Sequence, residues 1–334
     1  MYPDFIGIGA QKAGTTWLYQ NLRAHPQVYM PRKELHYFNR KLEDGSSMFT
    51  RLFGKRETDG EWRRQVRNRT ITHLTERPSL QDLLYDIRYY TGSYNDRWYA
   101  SLFKPGRGKV KGEITPAYSV LGKEKVAHVH SIMPEAKLIF FMRNPIERVW
   151  SQVTMRFGTV EKDSAGLMSE DKLVRRAVRN NARLLTDYLR TLENWGTFYS
   201  EEQIFVGFLE DVSFFPGELL KSIYSFLGVD PFFEPPFLEK KIHSRSSGTM
   251  PTGLAVHLAN EYREETGHLA DLFGAYASFW DYCVRRLIED PPQEEQIPYP
   301  LWASSLWGDW TDELPSDEKP GLHSGPLSTV QVSK

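Results

Sequence analysis

Gly9-Ala10-Gln11-Lys12-Ala13-Gly14-Thr15-Thr16 sets two glycines at G-x-x-x-x-G spacing around one lysine and follows them with two hydroxyls. Glycines let a backbone turn tightly and bring its N–H groups against a phosphate. Lys12 adds a point charge. Thr15 and Thr16 add donors where the next helix would start, at the positive end of its dipole. The combination is an anion cradle. A nucleotide-hydrolysing loop would carry Lys and then Ser or Thr directly after Gly14, with Mg²⁺ held by an Asp closing a second apolar strand. Leu138-Ile139-Phe140-Phe141-Met142 reads as such a strand, but it ends in Arg143. A cation where the metal-binding carboxylate belongs argues for a metal-free ligand that bears a second phosphate.

These residues need elements to position them. Phe5-Ile6-Gly7-Ile8 reads as a short buried parallel strand, and Trp17, Leu18 and Leu22 recur at helical spacing until His25-Pro26 ends the helix. Val28-Tyr29-Met30 reads as a second short strand. The stretch KVKGEITPAYSVL reads as strand, turn and helix start, and EQIFVGFLEDV as another strand. ELLKSIYSFLGV is an amphipathic helix stopped by Gly228, and residues 253–272 are helical again. Strands alternating with helices predict an α/β fold with a central, mostly parallel sheet flanked by helices. Ligands of such sheets bind outside the carboxyl ends of the strands, and each motif follows directly on a predicted strand. Residues 1–289 are expected to form one domain, with an insertion or substrate-side segment at about 40–105. Residues 290–334, rich in Pro, Glu, Ser and Trp without periodicity, are expected to be a poorly packed, poorly ordered tail.

Bulk properties restrict the alternatives. With 334 residues, 40% hydrophobic and 25% charged, the chain reads as a soluble globular protein. A net charge of −1 provides no global field for nucleic acid or an acidic membrane, so any anion site must be local. The basic run KRETDGEWRRQVRNRT is broken by acidic and polar residues and reads as a solvated insertion rather than a nucleic-acid patch. The single cysteine, Cys283, cannot form an internal disulfide and reads as a buried small hydrophobe. There is no apolar run of membrane-spanning length and no basic-then-apolar leader, so a cytoplasmic location is expected.

With the loop and the FFMRNPIERVWS unit both in view, the sequence resembles the sulfotransferases that use 3′-phosphoadenosine-5′-phosphosulfate (PAPS). It is most similar to the branch of the heparan-sulfate N- and 3-O-sulfotransferases and their bacterial relatives. Lys12, Gly14, Thr15 and Thr16 match that branch's K-x-G-T-T/R loop. Glu34, His36, Tyr37 and Phe38 match E-x-H-F/Y-F. Glu113, Thr115, Pro116 and Tyr118 match E-K-T/S-P-x-Y, and Arg143, Asn144, Pro145, Glu147, Arg148 and Ser151 match R-D/N-P-x-E-R-x-x-S. The four segments occur in the family's order across residues 5–151. The resemblance implies a P-loop NTPase-like sulfotransferase fold and a metal-free sulfonate transfer from PAPS. The acceptor would be a hydroxyl, or an amine, of a small molecule or carbohydrate.

The roles implied are specific. Lys12, Ala13, Gly14, Thr15, Thr16 and Trp17 would bind the 5′-phosphosulfate, with Lys12 stabilising the departing phosphate. Arg143 and Ser151 would hold the 3′-phosphate. Glu34 would be the general base, and His36 would assist it if the stretch is extended and both side chains share a face. His36 reads equally as a strand histidine paired with Glu34 or Glu113, and Arg148 as a structural residue facing solvent or a carboxylate. Two departures stand out. The family lysine between Glu113 and Thr115 is Ile114 here, leaving Lys33 or Lys111 to supply its charge. The family's late K-G-R-x-Y/H-P loop is only echoed by SRSSGTMP, where Arg245 and Gly248 are the candidates. Two other readings stay open: a P-loop kinase with an unusual loop, and a PAPS-fold binding protein that has lost catalysis.

Overall fold

A computed structural model describes residues 1–40, 48–55, 57–75, 79–155, 170–178, 182–236, 238, 248–315 and 321–331. Its centre is a six-stranded sheet. Five strands run parallel: β1 (Phe5–Gly9), β2 (Val28–Tyr29), β3 (Val110–Ile114), β4 (Lys137–Met142) and β5 (Ile204–Phe208). Two short strands, β6 (Thr249–Pro251) and β7 (Gln296–Pro298), form an antiparallel pair apart from it, and β8 (Gly325–Pro326) adds antiparallel to β5. The order across the large sheet is β2-β3-β1-β4-β5-β8. Every residue of β1 and β5 is buried, as their unbroken apolar sequences require when helices cover both faces.

The register of the three central strands sets the site. Phe5 pairs with Gly112 and Lys137, and β1, β3 and β4 run parallel, so all three end on the same side of the sheet, β3 opposite Gly7 and β4 two residues beyond the partner of Gly9. Their carboxyl ends deliver Gly9, Ile114 and Met142 to one edge of the sheet. The helix Thr15–Ala24 follows β1 and buries Trp17, Leu18, Tyr19 and Leu22, the apolar stripe read from its spacing. The helix Pro145–Met155 follows β4 in the same way and buries Ile146, Val149, Trp150 and Val153. Helices Thr252–Phe273 and Ala275–Glu289 pack against one another, and Cys283 is fully buried on the second.

Two expectations are corrected. The basic run read as a solvated insertion or substrate-side loop is helical: its described residues from Glu57 on lie in the helix Glu57–Thr75, which Met48–Phe53 precedes and Leu80–Thr91 follows. The segment 290–334 is not a loose tail over its described residues. Ile297, Leu301, Trp310 and Leu327 are buried, and Trp310 meets Phe279 and Trp307. Leu306, Trp307 and Trp310 recur at helical spacing on one short helix, Ser305–Glu313, and pack it onto the domain. Among the described residues, no helix is long and apolar enough to cross a membrane.

Candidate active site

The loop after β1 is held from below. Ala10 donates its N–H to the Phe141 carbonyl on β4 at 2.6 Å, and Ala13 donates back to Ala10 at 3.3 Å. Lys12 and Gly14 both take left-handed backbone conformations, with φ of 73° and 89°. For Gly14 this is the reason glycine stands there, since a Cβ would also lie 3.1 Å from Leu209. Gly14 is the N-cap of the helix Thr15–Ala24 and has no side chain with which to cap it. Its first-turn N–H groups therefore face the loop with the positive end of the helix dipole behind them. Thr15 is buried. The Trp17 indole is buried too, and donates to the Leu238 carbonyl at 3.1 Å, so its side chain is committed to packing.

Arg143, one residue past β4, lies under this loop. Its Nη1 donates to the Lys12 carbonyl at 3.2 Å. Nε and Nη2 both donate to Glu147 Oε2, at 3.1 and 2.9 Å, and Nη2 also donates to the Tyr299 hydroxyl at 2.5 Å. Glu147 is fully buried, and its other oxygen accepts the Leu301 N–H at 2.7 Å. Paired with Glu147 and Tyr299, Arg143 has its pKa raised despite burial. Ser151 lies beside the same Tyr299 hydroxyl. Tyr299 in turn donates its N–H to the Gly248 carbonyl at 3.1 Å, which brings Gly248 to this end of the site. Arg245 lies outside the described residues. Arg148 is buried, bonded to Thr186, Gln152 and the Ala182 carbonyl, with the Glu265 carboxylate in electrostatic reach; it is structural and faces away from solvent.

Glu34 and His36 sit beyond β3, and the backbone between them is not extended. Both have left-handed φ, 63° and 56°, flanking a fully buried Leu35. Two bonds impose this turn: Glu34 N–H to the Ile114 carbonyl at 3.0 Å, and Tyr37 N–H to the Tyr118 hydroxyl at 3.0 Å. Tyr118, Tyr99 and Thr115 all donate to Glu113, a fully buried carboxylate. The turn still brings the two side chains together, with His36 Nε2 3.4 Å from Glu34 Oε2. The hydrogen bond with His36, then the charge of Lys33, hold the Glu34 carboxyl below its ordinary value against the opposing effect of burial. Glu34 is therefore ionised at neutral pH and, with its side chain 42% exposed, is open to a substrate.

Of the two lysines proposed to cover for Ile114, Lys33 is placed at the site and Lys111 is not. Lys33 Nζ donates to Thr16 Oγ1 at 2.6 Å and lies 3.3 Å from Glu34 Oε1. Lys111 is bound to Asp4 near the start of β3, at the opposite end of that strand from Ile114. The Ile114 side chain lies against Gly7, where a Cβ would be 2.7 Å away.

Beside Glu34 and His36 opens a cleft of about 360 Å³. Arg32, Arg40, Arg69, Asn68, Tyr89 and Tyr90 contribute to its wall. Asp86 ties that wall together, accepting from Arg32, from Arg69 at 2.6 Å and from His73 at 2.6 Å. The helices at 57–91 thus build one side of the cleft. They lie within the stretch read from sequence as an insertion or substrate-side segment. Glu147 was detectable as an i, i+4 partner of Arg143. Tyr299 carried no signal, because its spacing from Arg143 follows no local pattern.

Buried acids give the site a pH signature. Burial pushes Glu113 to about 7 and Glu210 to about 8, the charge of Glu147 adding to the second, and burial likewise pushes Glu265 to about 8. In the unfolded chain these groups ionise near 4.5, so between that pH and about 8 the folded chain keeps protons that the unfolded chain releases. Stability accordingly falls as pH rises through this window, by on the order of several kcal/mol in total. Thermal melts followed by circular dichroism should give a higher Tm at pH 5.5 than at pH 8; a flat or rising profile would contradict this assignment.

Comparison with known proteins gives three findings. A family model described as "Sulfotransferase family" matches residues 3–235. Carbohydrate sulfotransferase 15 of Mus musculus is 26% identical over 262 residues, covering 70% of this chain and 45% of that protein. Heparan sulfate glucosamine 3-O-sulfotransferase 6 of Homo sapiens is 25% identical over 150 residues, covering 45% of this chain and 29% of that protein. The chain thus spans less than half the length of these curated relatives. Among solved structures, a sulfotransferase from Alicyclobacillus acidocaldarius covers 81% of this chain and 95% of its own at a TM-score of 0.51 and 19% identity. That likeness establishes the shared fold.

Proposed function

The chain belongs to the sulfotransferase family, and from that premise we propose that it moves a sulfonate group from PAPS to a hydroxyl, or an amine, of a carbohydrate or small-molecule acceptor. One observation carries the reading. The helix start at Gly14 and the ionised Glu34 are joined through Thr16 and Lys33, so an anion cradle and a base face one another across a single side chain.

The residues present fit this donor. A helix N-terminus whose N-cap is a glycine without a side chain, and Lys12 in the loop before it, suit the 5′-phosphosulfate. Arg143, Ser151 and Tyr299 gather beside the Lys12 carbonyl of the loop, where a 3′-phosphate would be held. When bound, PAPS supplies the sulfonate: the sulfur–oxygen bond to phosphate breaks, its electron pair leaving with the phosphate, as the acceptor oxygen or nitrogen bonds sulfur. Lys12 and the N–H groups of residues 13–16 would stabilise the charge gathering on that phosphate. Glu34 would take the acceptor's proton, and a carboxylate of low pKa suffices because a hydroxyl becomes acidic only late in the transfer. His36 would orient Glu34. The cleft beside them, with arginine and tyrosine walls, would receive the acceptor. The similarity to two sulfotransferases named for carbohydrates favours a sugar hydroxyl.

Calorimetric titration with 3′-phosphoadenosine-5′-phosphate in EDTA tests the donor site. Binding in the micromolar range or tighter without metal is expected. Binding of ATP with Mg²⁺ in its place would overturn the proposal and favour a kinase. Metal-free binding with no turnover of PAPS on any acceptor would favour the binding protein that has lost catalysis.

A further inference from the structure

We propose that Lys33 is a catalytic residue, the cation that holds the sulfonate in transit between the cradle and the acceptor. The inference rests on the donor reading above and assigns a contact within that site. Lys33 Nζ reaches Thr16 Oγ1 at 2.6 Å, on the first turn of the cradle helix, and stands 3.3 Å from the Glu34 carboxylate. It therefore bridges the group that would hold the donor and the group that would deprotonate the acceptor. A sulfonate leaving one for the other passes between them.

The backbone fixes Lys33 in this place. On one side Tyr19, on the cradle helix, donates its hydroxyl to the Pro31 carbonyl at 2.8 Å. On the other the Glu34 N–H is bound to Ile114 at the end of β3. Lys33 is thus anchored within two residues on each side to the two elements that flank the gap, and only about a fifth of its side chain is exposed. Neighbouring cations are directed elsewhere. Arg32 turns to Asp86 and Tyr90, Lys111 binds Asp4 at the amino end of β3, and Arg143 pairs with Glu147 beneath the loop. An ammonium with three rotatable donors suits this task, because it can keep Thr16 while its other N–H groups turn from Glu34 to sulfonate oxygens.

PAPS and 3′-phosphoadenosine-5′-phosphate differ only by the sulfonate, so their affinities for Lys33→Met isolate this contact without an acceptor. Calorimetry on the full chain should show the Kd for PAPS rising about tenfold while that for the desulfated nucleotide changes less than twofold. Lys33→Arg, which keeps the charge, should recover part of the loss. Unchanged affinity for both nucleotides would overturn the assignment. So would an equal loss for both, which would make Lys33 a support for Thr16 in shaping the cradle. Failure of the wild type to bind the desulfated nucleotide would instead remove the donor reading on which the inference stands.

Discussion

Arg143→Ala should destabilise the folded chain by about 3–5 kcal/mol, before any question of ligand arises. Arg143 is 7% exposed and Glu147 is fully buried, so removing the guanidinium leaves a carboxylate with no charge partner inside the protein. The Tyr299 hydroxyl and the Lys12 carbonyl lose a donor in the same stroke. Urea unfolding followed by fluorescence measures the loss, and a change below about 1 kcal/mol, the range of an exposed pair, would show that the pair is not buried as described. The double variant Arg143→Met/Glu147→Gln should recover most of the stability, because it removes both charges together. The same double variant then tests donor binding: with the fold restored, lost affinity for 3′-phosphoadenosine-5′-phosphate reports the phosphate contact and not the collapse of the ion pair.

Glu34→Gln should lower kcat by about 10²- to 10⁴-fold while leaving the affinity for 3′-phosphoadenosine-5′-phosphate within twofold. Glutamine keeps the shape of the side chain and can still accept from Lys33, but it cannot take a proton from an acceptor. Glu34 is placed by backbone bonds to Ile114 and, through Tyr37, to Tyr118, so the substitution leaves its turn intact. Transfer of sulfonate from PAPS is measured on the first glycan oligosaccharide or phenol that the wild type modifies. Retention of more than a tenth of wild-type kcat would remove Glu34 as the base. In that case His36, 3.4 Å away, is the next group to replace.

The parts of the molecule that were legible in the sequence are those in which local pattern and tertiary role coincide. β1, β4 and β5 are unbroken apolar runs because both faces of the sheet are covered, and the helices after β1 and β4 show their buried stripes directly. The loop was legible because glycine positions report backbone conformation. The turn at Glu34 was not: two non-glycine residues in left-handed conformation contradict local preference, and only Ile114 and Tyr118, far along the chain, hold them there. The C-terminal segment failed for a related reason. Leu306 and Trp310 do stand four residues apart on the helix Ser305–Glu313, but the pattern spans only nine residues and the surface that buries it, Phe279 included, is built elsewhere in the chain. Lys33 could be proposed from sequence as a substitute for the charge missing at Ile114. Choosing it over Lys111 required knowing which end of β3 each lies beside.

The bond from Leu301 to Glu147 also sets an order on synthesis. Domains fold as units during translation, amino-terminal parts first. A nascent chain that has emerged only as far as Asp290 already carries the loop, Arg143 and Glu34, but Glu147 still lacks its second partner and Arg143 still lacks Tyr299. The charges beneath the loop stay in an unfinished arrangement until Tyr299 and Leu301 arrive. Their assembly is therefore completed 154 residues of synthesis after Glu147 itself has been joined.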